Sequence, residues 1–210
     1  MKMRSDWSTS EVEKHLAEIS SLLGNFFLRV TSKAIQTKVA SAPDPKSTLS
    51  EIAASGTYPA LKELLATLEA LGTNVKSSMD NLEVANAIDY IMFCLKQVSA
   101  SHPPIPPHCQ RILKTLLYYS QANGAMTALS PWASDPMTTH ASYIVFLETL
   151  RVTGICLQPF VPGTAGRLLD ALGAEQDRRT WEFTKVGLGR TINDVTPTTL
   201  FRKVKSSGTG

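Results

Sequence analysis

The side chains best suited to chemistry are four histidines and three cysteines, and their spacing supports no catalytic or metal centre. His15 and His140 fall in helix-like stretches, while His102 and His108 flank a proline-rich run. None of the four is in a His-x-x-x-His or Glu-x-x-His pattern, the spacing that puts two metal ligands on one helix face. Cys94, Cys109 and Cys156 are odd in number and far apart, so neither a zinc site nor a disulfide framework follows, and buried apolar roles are expected of them. Glu11 and Glu13 are two residues apart and point to different sides of a helix, which suits a solvated surface better than a general acid/base pair. No glycine-rich strand-to-helix loop is present to cradle phosphates. What remains is binding. Asn25 and Arg29 are four residues apart and share one helix face, with an amide and a guanidinium on offer.

The element carrying that pair shows the clearest periodicity. Val12, Leu16, Ile19, Leu23, Phe26 and Val30 recur at spacings of 4, 3, 4, 3 and 4, which makes one apolar stripe. At about 100° per residue, Asn25 and Arg29 lie on a face beside the stripe and can meet a ligand while the helix stays packed. Plainer roles stand beside this one: Asn25 next to Gly24 at a close helix contact, Arg29 as a surface charge, and Trp132 plugging a core edge. Ser8, Thr9 and Ser10 supply N-caps, and the helix is expected to run to about Val39, where Ala42-Pro43-Asp44-Pro45 ends it.

Helices are further predicted around 58–71 and through Val84, Ile88, Ile91, Leu95 and Val98. Residues 99–107 hold four prolines and read as a loop. Another helix, with Ile112, Leu116 and Tyr119, is expected to end near Gly124, and a polar connection then leads to Pro131 and Trp132. Thr138 or Thr139 is the expected cap of a long helix through Ile144, Leu147, Leu150 and Ile155, stopped by Pro159 and Pro162. Thr164 is the expected cap of a short helix closed by Gly173. Strand signals are confined to 199–204. The reading is all-α, a bundle of about six or seven helices.

At 210 residues and 43% hydrophobic, with mean hydropathy near zero, the chain is long enough for a sizeable core and is not compositionally disordered. Its richest apolar stretch, 143–157, is broken by Glu148 and Arg151, so no membrane span is implied. The N-terminus has neither the apolar block of a secretory signal nor a long acid-free amphipathic stretch. Charge is nearly balanced, with 21 basic and 18 acidic residues, and the whole excess of +3 comes from Phe160 onward. Bulk electrostatics alone does not make this chain a nucleic-acid binder. A helical protein-interaction scaffold, using Trp132 and the prolines of 103–107, competes on these grounds.

Four landmarks point to a family. Leu22-Leu23-Gly24-Asn25-Phe26-Phe27-Leu28-Arg29-Val30 resembles the Leu-Gly-Asn-x-x-x-Arg motif that opens the anticodon-binding helix of methionyl-tRNA synthetases. Pro131-Trp132 resembles that family's Pro-Trp element. The run from Leu157-Gln158-Pro159-Phe160 through Val161-Pro162-Gly163-Thr164-Ala165 resembles its Pro-Phe-Met-Pro-x-Thr-Ala junction, and Leu200-Phe201-Arg202 its terminal Leu-Phe element. The resemblance spans the chain from Trp7 onward, nearest the short mitochondrial and bacterial forms. It implies a helical domain over 9–198 that binds the CAU anticodon loop of methionine tRNA, preceded by a remnant connection at 1–8 and followed by an extended tail at 199–210. It also implies the site residues Asn25, Arg29, Pro131 and Trp132: Trp132 to stack a base, Asn25 to read a base edge, and Arg29 to contact a base or phosphate.

The family's catalytic signatures, His-Ile-Gly-His and Lys-Met-Ser-Lys-Ser, are absent. The chain is therefore expected to hold no cofactor, with ATP and methionine left to a catalytic synthetase domain or chain as its partner. It would not form methionyl-adenylate alone, and it would be a fragment, a truncated product or a free-standing protein. A proline-rich insertion and an extra helix precede Pro-Trp where the family has a long helix with an Asn-x-Tyr element, so Tyr118, Tyr119 and Asn123 have no safe equivalents. The family type implies the mitochondrial matrix, with the cytoplasm as the other compartment.

Overall fold

A computed structural model describes residues 17–42, 48–98, 125–188, 195–196 and 198–201. The caps Ser8 to Ser10, the stripe positions Val12 and Leu16, His15, the run 99–124 with His102, His108, Cys109, Ile112, Leu116 and Tyr119, and residues 202–204 lie outside the described residues.

Among the described residues the chain is all-helical, a bundle around one long central helix. A π-helical turn at Ser20–Gly24 leads directly into α1 (Asn25–Val30). The expected stripe is buried: Ile19, Leu23, Phe26 and Val30 face inward, joined by Leu22 and Phe27. The helix does not reach Val39. The Thr31 amide and hydroxyl both donate to the Phe27 carbonyl at 2.9 Å, and Ser32 is extended (φ −64°, ψ 144°), which ends the helix. A separate helix, α2 (Lys33–Ala40), then begins at a new angle set by that break.

α3 (Leu49–Ala54), which periodicity missed, opens with a capping box in which Thr48 and Glu51 satisfy each other's backbone amides. α4 (Pro59–Asp80) is longer than the expected 58–71, and α5 (Val84–Val98) pairs with it along its length. α6 (Ala125–Leu129) replaces the expected polar connection before Pro131, because Ala125 and Met126 have a core to enter.

α7 (Pro136–Leu157) is the centre. From Thr139 to Leu157 every residue except Ile144 is buried, which places this helix inside the bundle rather than on it. Ile144 is half-buried, not the core position expected. The cap is neither Thr138 nor Thr139 but Asp135, whose carboxylate accepts from the amides of Met137 and Thr138, with Pro136 at the first helical position. Phe146 meets Phe26 edge to face with ring centroids 5.7 Å apart, pinning α1 to α7.

α8 (Pro162–Ala171) starts at Pro162 after Val161, so Thr164 sits inside it and caps nothing. Gly173 closes the helix at φ +67°, where Ala174 N–H reaches back to the Leu169 carbonyl. Two 3-10 turns, Gln176–Arg178 and Trp181–Thr184, return the chain to α4 and α7. The second packs so tightly that a Cβ on Gly72 of α4 would lie 2.4 Å from the Thr184 Cβ. The expected strand at 199–204 is absent over its described part, 199–201. Leu200 is buried and its carbonyl accepts from Arg167, so that stretch is held by helix side chains instead of a ladder.

Candidate nucleic-acid interface

α1 is short, yet it presents Asn25, Leu28, Arg29 and, just past its end, Ser32 at helical spacing along one outward face. The opposite face is fully committed to the core through Phe26, Phe27 and Val30. The π turn ends at Gly24, immediately before this face. Such turns are rare and frequent at functional sites. Gly24 is itself under the Phe201 ring: a Cβ there would come within 3.2 Å of the Phe201 Cδ2. Two of the sequence landmarks thus meet in space, and the close-contact role for Gly24 coexists with an exposed Asn25.

Opposite α1 stands the loop between α6 and α7. Ser130 has φ +39°, and the Ala133 and Ser134 amides both donate to its carbonyl, so the chain reverses tightly around Pro131 and Trp132. Pro131 is buried, and its carbonyl accepts from the Thr139 hydroxyl at 2.8 Å. Trp132, next along, is 41% exposed. The Arg29 guanidinium carbon lies over its ring, 4.8 Å from the centroid, a cation–π arrangement.

These groups border an open cleft of about 480 Å³ lined by Asn25, Leu28, Arg29, Ser32 and Trp132. Three of the four expected site residues therefore come together. Pro131 does not line the cleft and instead shapes the turn from beneath. Leu28 and Ser32 were missed, although they follow from Asn25 by steps of three and seven on the same helix face. Leu28 is 59% exposed, an apolar side chain left in water beside an exposed indole. Among these described lining residues the charged group is a cation, Arg29. The cleft offers a flat ring, a guanidinium, an amide, a hydroxyl and an apolar contact, groups that can hold an unpaired planar base.

The other sequence candidates go elsewhere. Asp135, which the sequence did not single out, spends its carboxylate on the α7 cap, and those hydrogen bonds hold it below the usual aspartate range. His140 is buried on α7 without a hydrogen-bond partner for Nδ1 among the described residues, and burial lowers its proton affinity. Cys94 and Cys156 are buried; desolvation pushes the Cys94 thiol up to about 12 and raises that of Cys156 as well, so both stay protonated. Among the described residues no cluster of metal-binding side chains occurs, and no helix is long and apolar enough to cross a membrane.

No family model matches the chain. Individual proteins do. A probable mitochondrial methionine–tRNA ligase of Neurospora crassa is 27% identical over 206 residues, an alignment that covers 97% of this chain and 29% of the relative. The methionine–tRNA ligase of Brucella melitensis is 40% identical over 63 residues, 29% of this chain and 12% of the relative. The apo methionyl-tRNA synthetase of Mycobacterium tuberculosis superposes with a TM-score of 0.62 at 19% identity, over 95% of this chain and 35% of that one. Along almost its whole length the chain is similar to part of the methionyl-tRNA synthetases. It spans less than a third of the length of the curated methionyl-tRNA synthetases it matches, and the structural likeness extends the shared all-α fold over almost all described elements.

Proposed function

We propose that this chain is the tRNA-binding part of a methionine–tRNA ligase and that its cleft receives the CAU anticodon loop of methionine tRNA. The observation that carries this reading is the convergence of Asn25, Arg29 and Trp132 on one cleft, with the guanidinium over the indole face. An anticodon loop presents unstacked bases, which proteins hold by stacking and by hydrogen bonds to exposed edges. In this reading Trp132 stacks one base, Asn25 bonds a base edge, and Arg29 contacts a base or the neighbouring phosphate. Pro131 acts through the turn that aims Trp132.

The catalytic steps of methionylation, which consume ATP and methionine, are assigned to a catalytic synthetase domain or chain as partner. This chain alone is expected to give no methionine-dependent pyrophosphate exchange. The Neurospora relative's name places that protein in mitochondria, and we assign the same compartment to this one.

The test is a titration of the chain with a methionine-tRNA anticodon stem-loop, repeated with Trp132→Ala and across salt. Loss of a stacked base removes about 1–3 kcal/mol of binding free energy, so Trp132→Ala should weaken the complex accordingly. Affinity should also fall with salt, by about 0.7 log units per log unit for each phosphate contacted. Binding that ignores both the substitution and salt would point to a protein-interaction scaffold instead.

A further inference from the structure

The two walls of the cleft come from segments far apart in sequence, and a side chain outside the cleft joins them. Lys38 lies on α2, just beyond the break that separates it from α1, and its ammonium donates to the Ser134 carbonyl at 2.7 Å. Ser134 closes the loop that carries Trp132: its amide donates to the Ser130 carbonyl and its hydroxyl to that of Leu129. The loop's other end is tied to α7 through Pro131 and Thr139. Those bonds hold the loop to α6 and α7, and α7 is itself packed against α1 through Phe146 and Phe26; Lys38 adds the direct hydrogen bond from the α1–α2 side to the loop that carries Trp132. The half-buried setting and the full charge on the donor make the bond stronger than one between neutral groups.

The geometry points to Lys38 as a positioning residue that holds the Ser134 end of the loop, so that the Trp132 ring keeps its place against Arg29 at the border of the cleft. This rests on the reading of the cleft as an RNA site, but the tether itself does not. A cation this near an RNA site has an obvious rival role, direct contact with a phosphate. The two roles differ in what they change. A tether alters the indole in the free protein and leaves the salt dependence alone. A phosphate contact does the reverse.

Lys38→Met and Lys38→Arg, made in a Trp7→Phe/Trp181→Phe background, leave Trp132 as the one tryptophan reporter. In the free protein Lys38→Met should lower the fluorescence anisotropy of Trp132 and raise its quenching by acrylamide, and Lys38→Arg, which keeps a charged donor, should restore both. Against the anticodon stem-loop, Lys38→Met should weaken binding roughly three- to tenfold with an unchanged salt slope, and Lys38→Arg should recover affinity. Unchanged Trp132 signals in Lys38→Met would overturn the tether, and a salt slope reduced by about 0.7 alongside them would assign Lys38 to a phosphate. If the stem-loop binds no variant, wild type included, while Trp132 still loosens in Lys38→Met, the tether stands and the RNA reading falls.

Discussion

At the scale of single residues, the cleft and the core place opposite demands on polar groups. Arg29 and Trp132 remain partly in water and satisfy each other through the ring face. His140, one helical turn into α7, is buried and neutral. The unfolded chain, whose histidine has an ordinary pKa near 6.5, takes up a proton more readily than the folded one. Its contribution to stability is therefore complete above that value and falls as pH drops through it toward the lower folded value. The urea unfolding midpoint of wild type should accordingly fall relative to that of His140→Gln as pH is lowered from 7 to 5; parallel profiles would show that His140 does not titrate with folding.

At the scale of elements, α7 carries an ion pair inside the bundle. Arg151 and Glu148 are 2.6 Å apart and both buried; Arg151 also donates to the carbonyls of Phe183 and Lys185, and Gly187 N–H donates to Glu148. This network staples the second 3-10 turn and residues 185–187 onto the central helix. Removing one partner strands a buried charge, so Arg151→Met should cost about 3–5 kcal/mol by chemical denaturation, and Glu148→Met added to it should return part of that loss. A double variant less stable than the single one would mean that the pair itself, and not the stranded carboxylate, carries the effect.

The same scale shows what the sequence discloses. Long apolar periodicity predicts α5, α7 and the buried side of α1, because a stripe of that spacing has no other way to leave water. It cannot show the break at Thr31 and Ser32, since Ile35 and Val39 continue an apolar pattern across it and the break lies in the extended backbone of one residue, Ser32. Local caps are legible in kind but not always in place: Asp135 before Pro136 competes with Thr138 and Thr139 on equal chemical terms until the backbone geometry selects it. Thr48 and Glu51, by contrast, spell a capping box that could have revealed α3. For the site, helix geometry alone puts Asn25 and Arg29 on one face, and the same arithmetic would have added Leu28. Trp132 entered by resemblance, because no local pattern shows which distant loop closes against α1.

At the scale of the whole molecule, the described helices pack as a bundle that leaves the Trp132 ring and the Arg29 guanidinium exposed against each other at its surface. The central helix is buried nearly all round, the tail at 198–201 is drawn back so that Phe201 covers Gly24, and Arg167 holds the Leu200 carbonyl. The face carrying Asn25 is thus braced from behind by the far end of the chain. That frame suits recognition of a preformed loop, where affinity depends on groups being held before the ligand arrives.

The most direct measurement is the ratio of affinities of the wild-type chain for two anticodon stem-loops that differ at a single base, CAU and a variant altered at one of those three positions, at one fixed salt concentration. The account predicts a clear preference for CAU, since a cleft that reads a base edge leaves polar groups unpaired against the wrong base. Equal affinity for the two loops would contradict it, leaving a synthetase-like fold whose cleft does not read the anticodon.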